Sequence, residues 1–283
     1  MVTRRSPLVH IAAAFVCVLV LANAPAAQTP PRAYRILISN DDGVRAPGIL
    51  AVAQALQTLG EITIAAPAEN QSGKAHSITT SDPIFVEPVT LAGGLAAFSI
   101  QAPPATCVKV GVRALMTERP DLVVSGINRG YNLGMVTYVS GTVGAAREAA
   151  LMGIPAIASS LSSSEPDYSA AAHIVRQIAE MVRQNGLEPG VLLNINVPAG
   201  PVSAIRGIQL TRQSALSGEE RFQEQRSPTG RRFFWSIWSE PTGDAEGTDV
   251  WAADHHYAAV TPLRAGEFDS KAYDTWRTRF TPR

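Results

Sequence analysis

The chain has 283 residues, 46% of them hydrophobic, with 24 basic and 24 acidic side chains. This much apolar material excludes a disordered chain, and the even charge balance excludes a general nucleic-acid binder, which needs a basic face to displace counterions. The two cysteines, Cys17 and Cys107, are too few for a disulfide scaffold or a cysteine-rich zinc site once the first is removed with the N-terminal segment.

The first 26 residues have the pattern of a secretory signal peptide. Arg4 and Arg5 form a short positive region, Ile11–Ala22 is an apolar run, and Ala24-Pro25-Ala26 supplies small residues at a cleavage site. The apolar run falls short of the roughly 20 residues that an uncleaved membrane anchor needs. We therefore predict cleavage after Ala26 and export to the periplasm or the medium, with no stable membrane span afterwards.

The predicted mature chain has 257 residues with 22 basic and 24 acidic side chains, because the signal carries two arginines and no acid. Residues 27–33 are predicted to form a linker that leads into the fold. Residues 34–283 have the length of one large α/β domain.

The domain opens with a strand–helix–strand pattern. Tyr34–Asn40 is a short apolar run typical of a buried strand, and a helix with one apolar stripe follows from about Pro47 to a stop at Gly60. Glu61–Ala66 is the second strand. This order predicts two parallel strands joined by a right-handed crossover.

The rest of the chain continues the alternation and then changes. A polar loop, an excursion of extended segments, three helices and three strands are predicted at 67–76, 78–100, 104–116, 121–125, 142–152, 154–159, 167–184 and 191–197. Beyond Gly200, strand-like runs separated by polar stretches indicate hairpins or an arm. We predict a three-layer α/β/α sandwich, Rossmann-like, with a mostly parallel sheet and a C-terminal β-hairpin or arm extension at about 200–283.

Small side chains that bear oxygen follow three of the predicted strands. Asp41 and Asp42 follow the first strand, Ser72 follows the second, and Asn128 follows the strand at 121–125. Adjacent carboxylates repel unless a cation lies between them, and oxygen ligands suit Mg²⁺, Mn²⁺ or Ca²⁺. Because ligands gather beyond the carboxyl ends of parallel strands, these groups predict a metal site. The alternative is that Asp41 caps the helix while Asp42-Gly43 makes a turn.

A second feature is the helix start at Ser140-Gly141-Thr142. Free backbone N–H groups and the positive end of the helix dipole make such a start an anion-binding site, unless Ser140 is an ordinary N-cap. A metal site beside an anion-binding site indicates a phosphate ester as substrate.

Other motifs give no competing function. The segment Gly73-Lys74-Ala75 lacks both the Ser/Thr and the upstream glycine of a P-loop, and the chain has no G-x-G-x-x-G, G-x-S-x-G or H-E-x-x-H motif. Lys74 and Arg129 could touch phosphate or be solvated. His255-His256 is expected on the surface or in the core, and Cys107 in the core.

Six blocks of this sequence together resemble the SurE family of survival-protein nucleotidases. They are RILISNDDGVRAPGI at 35–49, NQSGKAHSIT at 70–79, SGINRGYNLG at 125–134 with SGTVGAA at 140–146, and VLLNINVP at 191–198 followed by VTPL at 260–263. The resemblance implies a Rossmann-like metal-dependent phosphatase acting on nucleoside monophosphates, with some activity on polyphosphate. It also implies a C-terminal extension exchanged between subunits of a homodimer or homotetramer.

The resemblance assigns one divalent cation per subunit, Mg²⁺ or Mn²⁺ with Ca²⁺ able to occupy the same site. Its ligands fall on Asp41, Asp42, Ser72 and Asn128, of which Asp41 and Asp42 are also assigned catalytic roles. The phosphate site falls on Asn132, Ser140, Gly141 and Thr142, to which we add Asn40 and Gly73. This chain departs from the family pattern at Ala68, Thr106 and Met135–Val139. The other function that fits is an exported, non-catalytic nucleotide- or phosphate-binding protein.

Overall fold

The computed structural model describes residues 32–164 and 166–280. The predicted signal peptide and all but two residues of the predicted linker lie outside them. Within the described part no helix is long and apolar enough to cross a membrane. The strands are β1 Arg35–Ser39, β2 Glu61–Pro67, β3 Val86–Thr90, β4 Ala96–Ile100, β5 Leu122–Arg129, β6 Ala156–Leu161, β7 Val191–Val197, β8 Ile208–Leu210, β9 Glu219–Arg226, β10 Arg232–Ser239 and β11 Ala258–Arg264. The helices are α1 Pro47–Leu56, α2 Pro104–Val110, α3 Gly141–Leu151, α4 Tyr168–Asn185, α5 Asp249–Asp254 and α6 Ser270–Phe280.

One large sheet organises the fold, with the strand order β3-β4-β2-β1-β5-β6-β7-β11-β8. The six strands from β4 to β7 in this order run parallel, while β3 and β11 are antiparallel to their inner neighbours. The chain leaves β1 toward β2 on one side and returns to β5 on the other. The order therefore reverses at β1, and its carboxyl end is the point where α/β sheets bind ligands.

Two hydrophobic cores cover the two faces of the sheet. The first contains the apolar stripe of α1 packed against α4, and the second contains the inner faces of α2 and α3. The three central residues of β1 lie between these layers and are fully buried: Ile36, Leu37 and Ile38. Each contributes about 1.5–3 kcal/mol by burial, which makes β1 a rigid base for the residues that follow it. The predicted three-layer mostly parallel sandwich is confirmed.

Strand β5 is longer than the sequence pattern predicts. We predicted its end at Ser125, but it continues to Arg129, with an irregular register between Ser125 and Asn128 in its pairing with β6. Gly126 makes this possible, since its φ is +126° and a Cβ there would lie 2.3 Å from the carbonyl oxygen of Ser159. Asn128 is therefore placed by a strand and not by a flexible loop.

Two helix ends also differ in detail from the prediction. The helix at 104–116 is α2 followed by one π-turn, Gly111–Leu115. Gly60 does not cap α1, which ends at Leu56. A Cβ at Gly60 would lie 2.0 Å from the carbonyl oxygen of Tyr34, so this glycine allows the start of β2 to approach the start of β1.

The predicted C-terminal hairpin is present as β9 and β10, which form a separate two-stranded antiparallel sheet. All residues of β9 and all but one of β10 are exposed. The exposed set includes five large apolar side chains: Phe222, Phe234, Trp235, Ile237 and Trp238.

Candidate active site

Asp41 lies at the carboxyl end of β1 and is 3% exposed. Its Oδ1 accepts a hydrogen bond from the hydroxyl of Thr142 at the start of α3. Burial raises the pKa of the Asp41 carboxyl to about 6; the Thr142 hydrogen bond opposes this rise and the charge of Asp42 adds to it. The fold thus holds a carboxyl group where water solvates it poorly, a position that favours partnership with a cation.

Asp42 is half-buried and joins two other loops. Its Oδ2 accepts a hydrogen bond from the backbone N–H of Arg129 at 3.1 Å, and its Oδ1 lies 3.4 Å from Nδ2 of Asn70. Burial raises the pKa of Asp42, opposed by the Arg129 amide and by the Arg129 charge. One carboxylate therefore connects the ends of β1 and β5 with the loop after β2.

The loop after β2 is fixed at both of its ends. The N–H of Gln71 donates to the carbonyl of Asp41 at 2.7 Å, and the N–H of Ala75 donates to the carbonyl of Val139 at 3.1 Å. A Cβ on Gly144 of α3 would lie 2.1 Å from the Ala75 oxygen, so this glycine lets the helix press against the loop.

A hydrogen bond adds to this attachment. His76 at the end of the loop lies 2.8 Å from the carboxylate of Glu148 on α3. Ser72 and Gly73 are exposed between the two anchored ends of the loop, one and two residues after Gln71.

Asn128 and Asn132 are both buried, but their side chains make different hydrogen bonds. Asn128 donates its amide to the carbonyl of Gly130 at 2.8 Å, and its side-chain oxygen accepts no hydrogen bond from any described residue. Asn132 donates its side-chain amide to the hydroxyl of Ser160 at 2.7 Å. Its backbone is held by Asn194 and Asn196 of β7.

The start of α3 completes the site. The Ser140 hydroxyl accepts a hydrogen bond from the N–H of Val143, so Ser140 is the N-cap of the helix. The N–H groups of Gly141 and Thr142 belong to the first turn, where no helical carbonyl can accept from them. A Cβ on Gly141 would lie 2.9 Å from Cβ of Asp41. The positive end of α3 therefore packs directly against the Asp41 carboxyl group.

These residues fit a hard divalent cation. Neither Asp41 nor Asp42 forms an ion pair within residues 32–164 and 166–280. The buried side-chain oxygen of Asn40 has no hydrogen-bond partner either. The described residues contain no group of three or more His, Cys, Asp or Glu that could hold a metal, and the predicted ligand set draws only two of its four members from those types. Carboxylate, hydroxyl and amide oxygens are the ligands that Mg²⁺ and Mn²⁺ prefer.

Several supporting residues were absent from the sequence-based prediction. Asn70 and the backbone of Arg129 hold Asp42, while Asn194 and Asn196 hold Asn132. Asn194 and Asn196 could have been found from the sequence. They stand two apart in VLLNINV, so they point to the same face of a strand that is otherwise apolar.

Comparison with known proteins gives consistent results. The family model described as Survival protein SurE matches residues 36–220. A 5'-nucleotidase SurE of Syntrophobacter fumaroxidans is 42% identical over 231 residues, which are 81% of this chain and 92% of that protein. A 5'-nucleotidase SurE of Thermus thermophilus is 43% identical over 233 residues, 81% of this chain and 91% of that protein. The crystal structure of SurE protein from Aquifex aeolicus has a TM-score of 0.75 and 35% identity, covering 87% of this chain and 99% of that one.

Proposed function

The chain belongs to the SurE family, and from this premise we propose that it is a divalent-metal-dependent 5'-nucleotidase that hydrolyses nucleoside monophosphates and other phosphate monoesters. Relatives named as 5'-nucleotidases support the nucleotidase activity. The observation that carries the proposal is the contact between the buried Asp41 carboxyl group and the start of α3. It puts a cation-binding group beside an anion-binding helix end, which is the combination that a metal-bound phosphate requires.

In this proposal one Mg²⁺ or Mn²⁺ ion is held by Asp41, Asp42, Ser72 and Asn128. When bound, such an ion polarises a phosphate oxygen and lowers the pKa of a coordinated water. The side-chain oxygen of Asn128, which no described residue engages, is available as a ligand.

The chain's own residues bind and orient the phosphate. The N–H of Gly141 in the first turn of α3 binds an equatorial oxygen, with Asn40, Gly73, Asn132, Ser140 and Thr142 around the phosphate. Thr142 fixes Asp41 through Oδ1, and we assign to the Asp41 carboxylate the orientation of the attacking water and the acceptance of its proton. Arg129 holds Asp42 in position through its backbone amide.

The position of Thr106 bears on substrate choice. The family commonly has an aspartate here, whereas the Thr106 hydroxyl accepts a hydrogen bond from the N–H of Thr79 at 2.9 Å. That bond orders the loop between β2 and β3 beside a cavity of about 450 Å³, whose lining includes Ala68, a second departure from the family pattern. Esters other than nucleotides are therefore included in the proposal.

The decisive experiment measures phosphate release from AMP and from p-nitrophenyl phosphate by the purified protein. We expect release with Mn²⁺ or Mg²⁺ present, loss of release with EDTA, and recovery when the metal is restored. We expect Asp42→Asn to reduce kcat/KM by more than about a hundredfold, since even residues behind metal ligands are worth 10- to 100-fold, while circular dichroism stays unchanged. Near-normal turnover by this variant would refute the metal assignment. AMP binding without any phosphate release would establish the non-catalytic binding protein instead.

Two further parts of the proposal concern the whole chain. The C-terminal extension at about 200–283 is proposed to join subunits into a homodimer or homotetramer, a role that the exposed apolar side chains of β9 and β10 support. Residues 1–26 are proposed to direct export and to be removed. Mass spectrometry of the protein recovered from the periplasm or the medium should give a chain that begins at Ala27, and an intact N-terminus would contradict this.

A further inference from the structure

Arg147 is a buried charged residue that the proposed reaction does not use. It lies on α3 and is 8% exposed. Its Nε has no hydrogen-bond partner, and it forms no ion pair with any residue in the described part of the chain. The guanidinium lies over the ring of Tyr138, whose centroid is 5.6 Å from the guanidinium carbon.

A cavity of about 470 Å³ opens at this guanidinium. The side chains that matter for its chemistry are Arg147, Arg264, Thr137, Tyr138, Gln213 and Glu267. None of the proposed metal or phosphate ligands lines it. Arg147 follows Gly141 by six residues, which places it about 9 Å further along the axis of α3.

One wall of the cavity is ordered. Gln213 donates its amide to the carbonyl of Gly134 at 2.9 Å and to the Thr137 hydroxyl at 2.8 Å. The Thr137 hydroxyl also donates to Gly134 at 2.9 Å. Since these groups already have partners, the cavity has a fixed neutral wall that does not need to rearrange when an ion enters.

The electrostatics of the cavity leave Arg147 without an anion. Arg264 is exposed and lies 3.4 Å from Glu188 at the surface. Glu267 is exposed and lies beyond ion-pair distance of Arg147. A largely buried guanidinium without a counter-charge is destabilising, and an anion in the adjacent cavity would offset that cost.

We propose that this cavity is a binding site for a compact oxyanion, separate from the reaction site, with Arg147 as its principal ligand. The planar guanidinium bonds two oxygens of one carboxylate, phosphate or sulfate group at once, and Arg264 adds a second charge at the rim. Nothing in this assignment depends on phosphatase activity. The oxyanion site can therefore be confirmed or refuted independently of the activity of Asp42→Asn.

The test titrates inorganic phosphate calorimetrically into the full-length protein, which is stripped of metal with EDTA and then freed of EDTA by gel filtration. We expect saturable binding that is about tenfold or more weaker in Arg147→Met, partly restored in Arg147→Lys, and tighter in Glu267→Gln, which removes a neighbouring negative charge. Arg113→Met, which removes an exposed arginine from the turn after α2, is the matched control and should bind like the parent protein.

Two results would overturn the proposal. One is the absence of phosphate binding to the parent protein up to about 10 mM. The other is equal affinity in Arg147→Met and the parent, which would place the anion elsewhere. Gly141→Ala separates the two sites, because phosphate affinity that disappears in this variant belongs to the reaction site at the start of α3. Should Arg147→Met fail to fold, Arg264→Met and Arg147→Lys provide the same comparison with smaller expected losses.

Discussion

The contact between Gly141 and Asp41 shows how closely the two halves of the site depend on each other. A Cβ at Gly141 would come within 2.9 Å of Asp41 Cβ and 3.0 Å of its Oδ2. That clearance is smaller than real Cβ atoms tolerate, so an added methyl group must push either the carboxylate or the helix start away. A displacement of about 1 Å at a reacting group can cost about a hundredfold in rate.

We therefore predict that Gly141→Ala lowers kcat/KM for AMP by about a hundredfold while it retains a cooperative thermal transition. Gly266→Ala is the matched control, since a Cβ there meets open space. Steady-state kinetics on both variants would check this. Equal activity in the two would show that Asp41 and the start of α3 move independently.

Thr142 provides a second test at the same scale. Its hydroxyl donates to Oδ1 of Asp41, so Thr142→Val should leave that carboxylate without its orienting partner and reduce kcat/KM by about 10- to 100-fold. Thr142→Ser keeps the hydroxyl and should retain most of the activity. If Thr142→Ser and Thr142→Val lose the same amount of activity, the hydroxyl is not what positions Asp41.

At the residue scale, the sequence pattern pointed to side chains that follow strand ends, but it did not reveal the backbone atoms and distant strands that hold them in place. The structure connects Asp41 and Asp42 to the loop after β2 and to the end of β5, as the pattern of oxygen-bearing residues suggested. The ligand roles themselves stay predictions. A backbone amide such as that of Arg129 has no signature in a sequence, because every residue except proline carries one.

At the level of elements, the prediction of β5 stopped short for a physical reason. Gly126 and the polar residues around it have the composition of a loop, yet the strand passes through an irregular register and continues. Whether a glycine breaks a strand or lets it approach its neighbour is decided by the neighbour, here the Ser159 carbonyl. The start of α4 is the opposite case, because a local residue type, an aspartate at the N-cap, was enough to predict where the helix begins.

Asp167 is the N-cap of α4 and accepts hydrogen bonds from the N–H groups of Ser169 and Ala170. We predict that Asp167→Ala lowers the free energy of unfolding by about 1 kcal/mol, and that Asp167→Asn, which can still cap, loses well under half of that. Urea denaturation of the three proteins would measure the difference. Similar losses in both variants would contradict a capping role.

The same cap predicts a pH dependence. The Ser169 hydroxyl bond holds the pKa of Asp167 below its ordinary value, against a small opposing effect of burial. A lowered folded-state pKa means that the carboxylate stabilises the protein above its unfolded pKa of about 3.9 and loses this effect as pH falls through the folded pKa. The stability gap between the parent and Asp167→Ala should therefore be full at pH 7 and shrink below about pH 4. If the stability difference between the two proteins stayed constant down to pH 3, the ionised Asp167 carboxylate would not be the source of the stabilisation.

On the scale of the whole molecule, the alternation of strands and helices was enough to predict the architecture. The strand order was less accessible, since β11 joins the far side of β7 across more than 60 residues of sequence and no local pattern encodes that pairing. The edge of the sheet where the site is expected could nevertheless be predicted, because the carboxyl ends of parallel strands share one edge whatever the strand order.

The hairpin formed by β9 and β10 yields the prediction for assembly. Trp235 and Trp238 are 58% and 45% exposed, which is costly unless a second copy covers them. Replacing both with serine should raise the dissociation constant of the oligomer about thirtyfold or more, given the weight of tryptophan at interfaces. Met181→Ser, at an exposed apolar position on α4, is the control. Light scattering on a concentration series would measure the mass of each variant. If the masses of the tryptophan variant equal those of the parent protein, the hairpin is not part of the subunit interface.

Helix α3 has a consequence for how this protein can evolve. Each residue from Gly141 to Ala150 is buried. This one helix carries the contact of Gly141 with Asp41, the contact of Gly144 with Ala75, the guanidinium of Arg147 and the contact of Glu148 with His76. By contrast, α6 has no buried residue. In a saturation library selected for activity, α3 should accept almost no replacements over three turns, whereas α6 outside any subunit contact should drift freely. Divergence within the lineage of this chain is thus expected to accumulate at its C-terminal end.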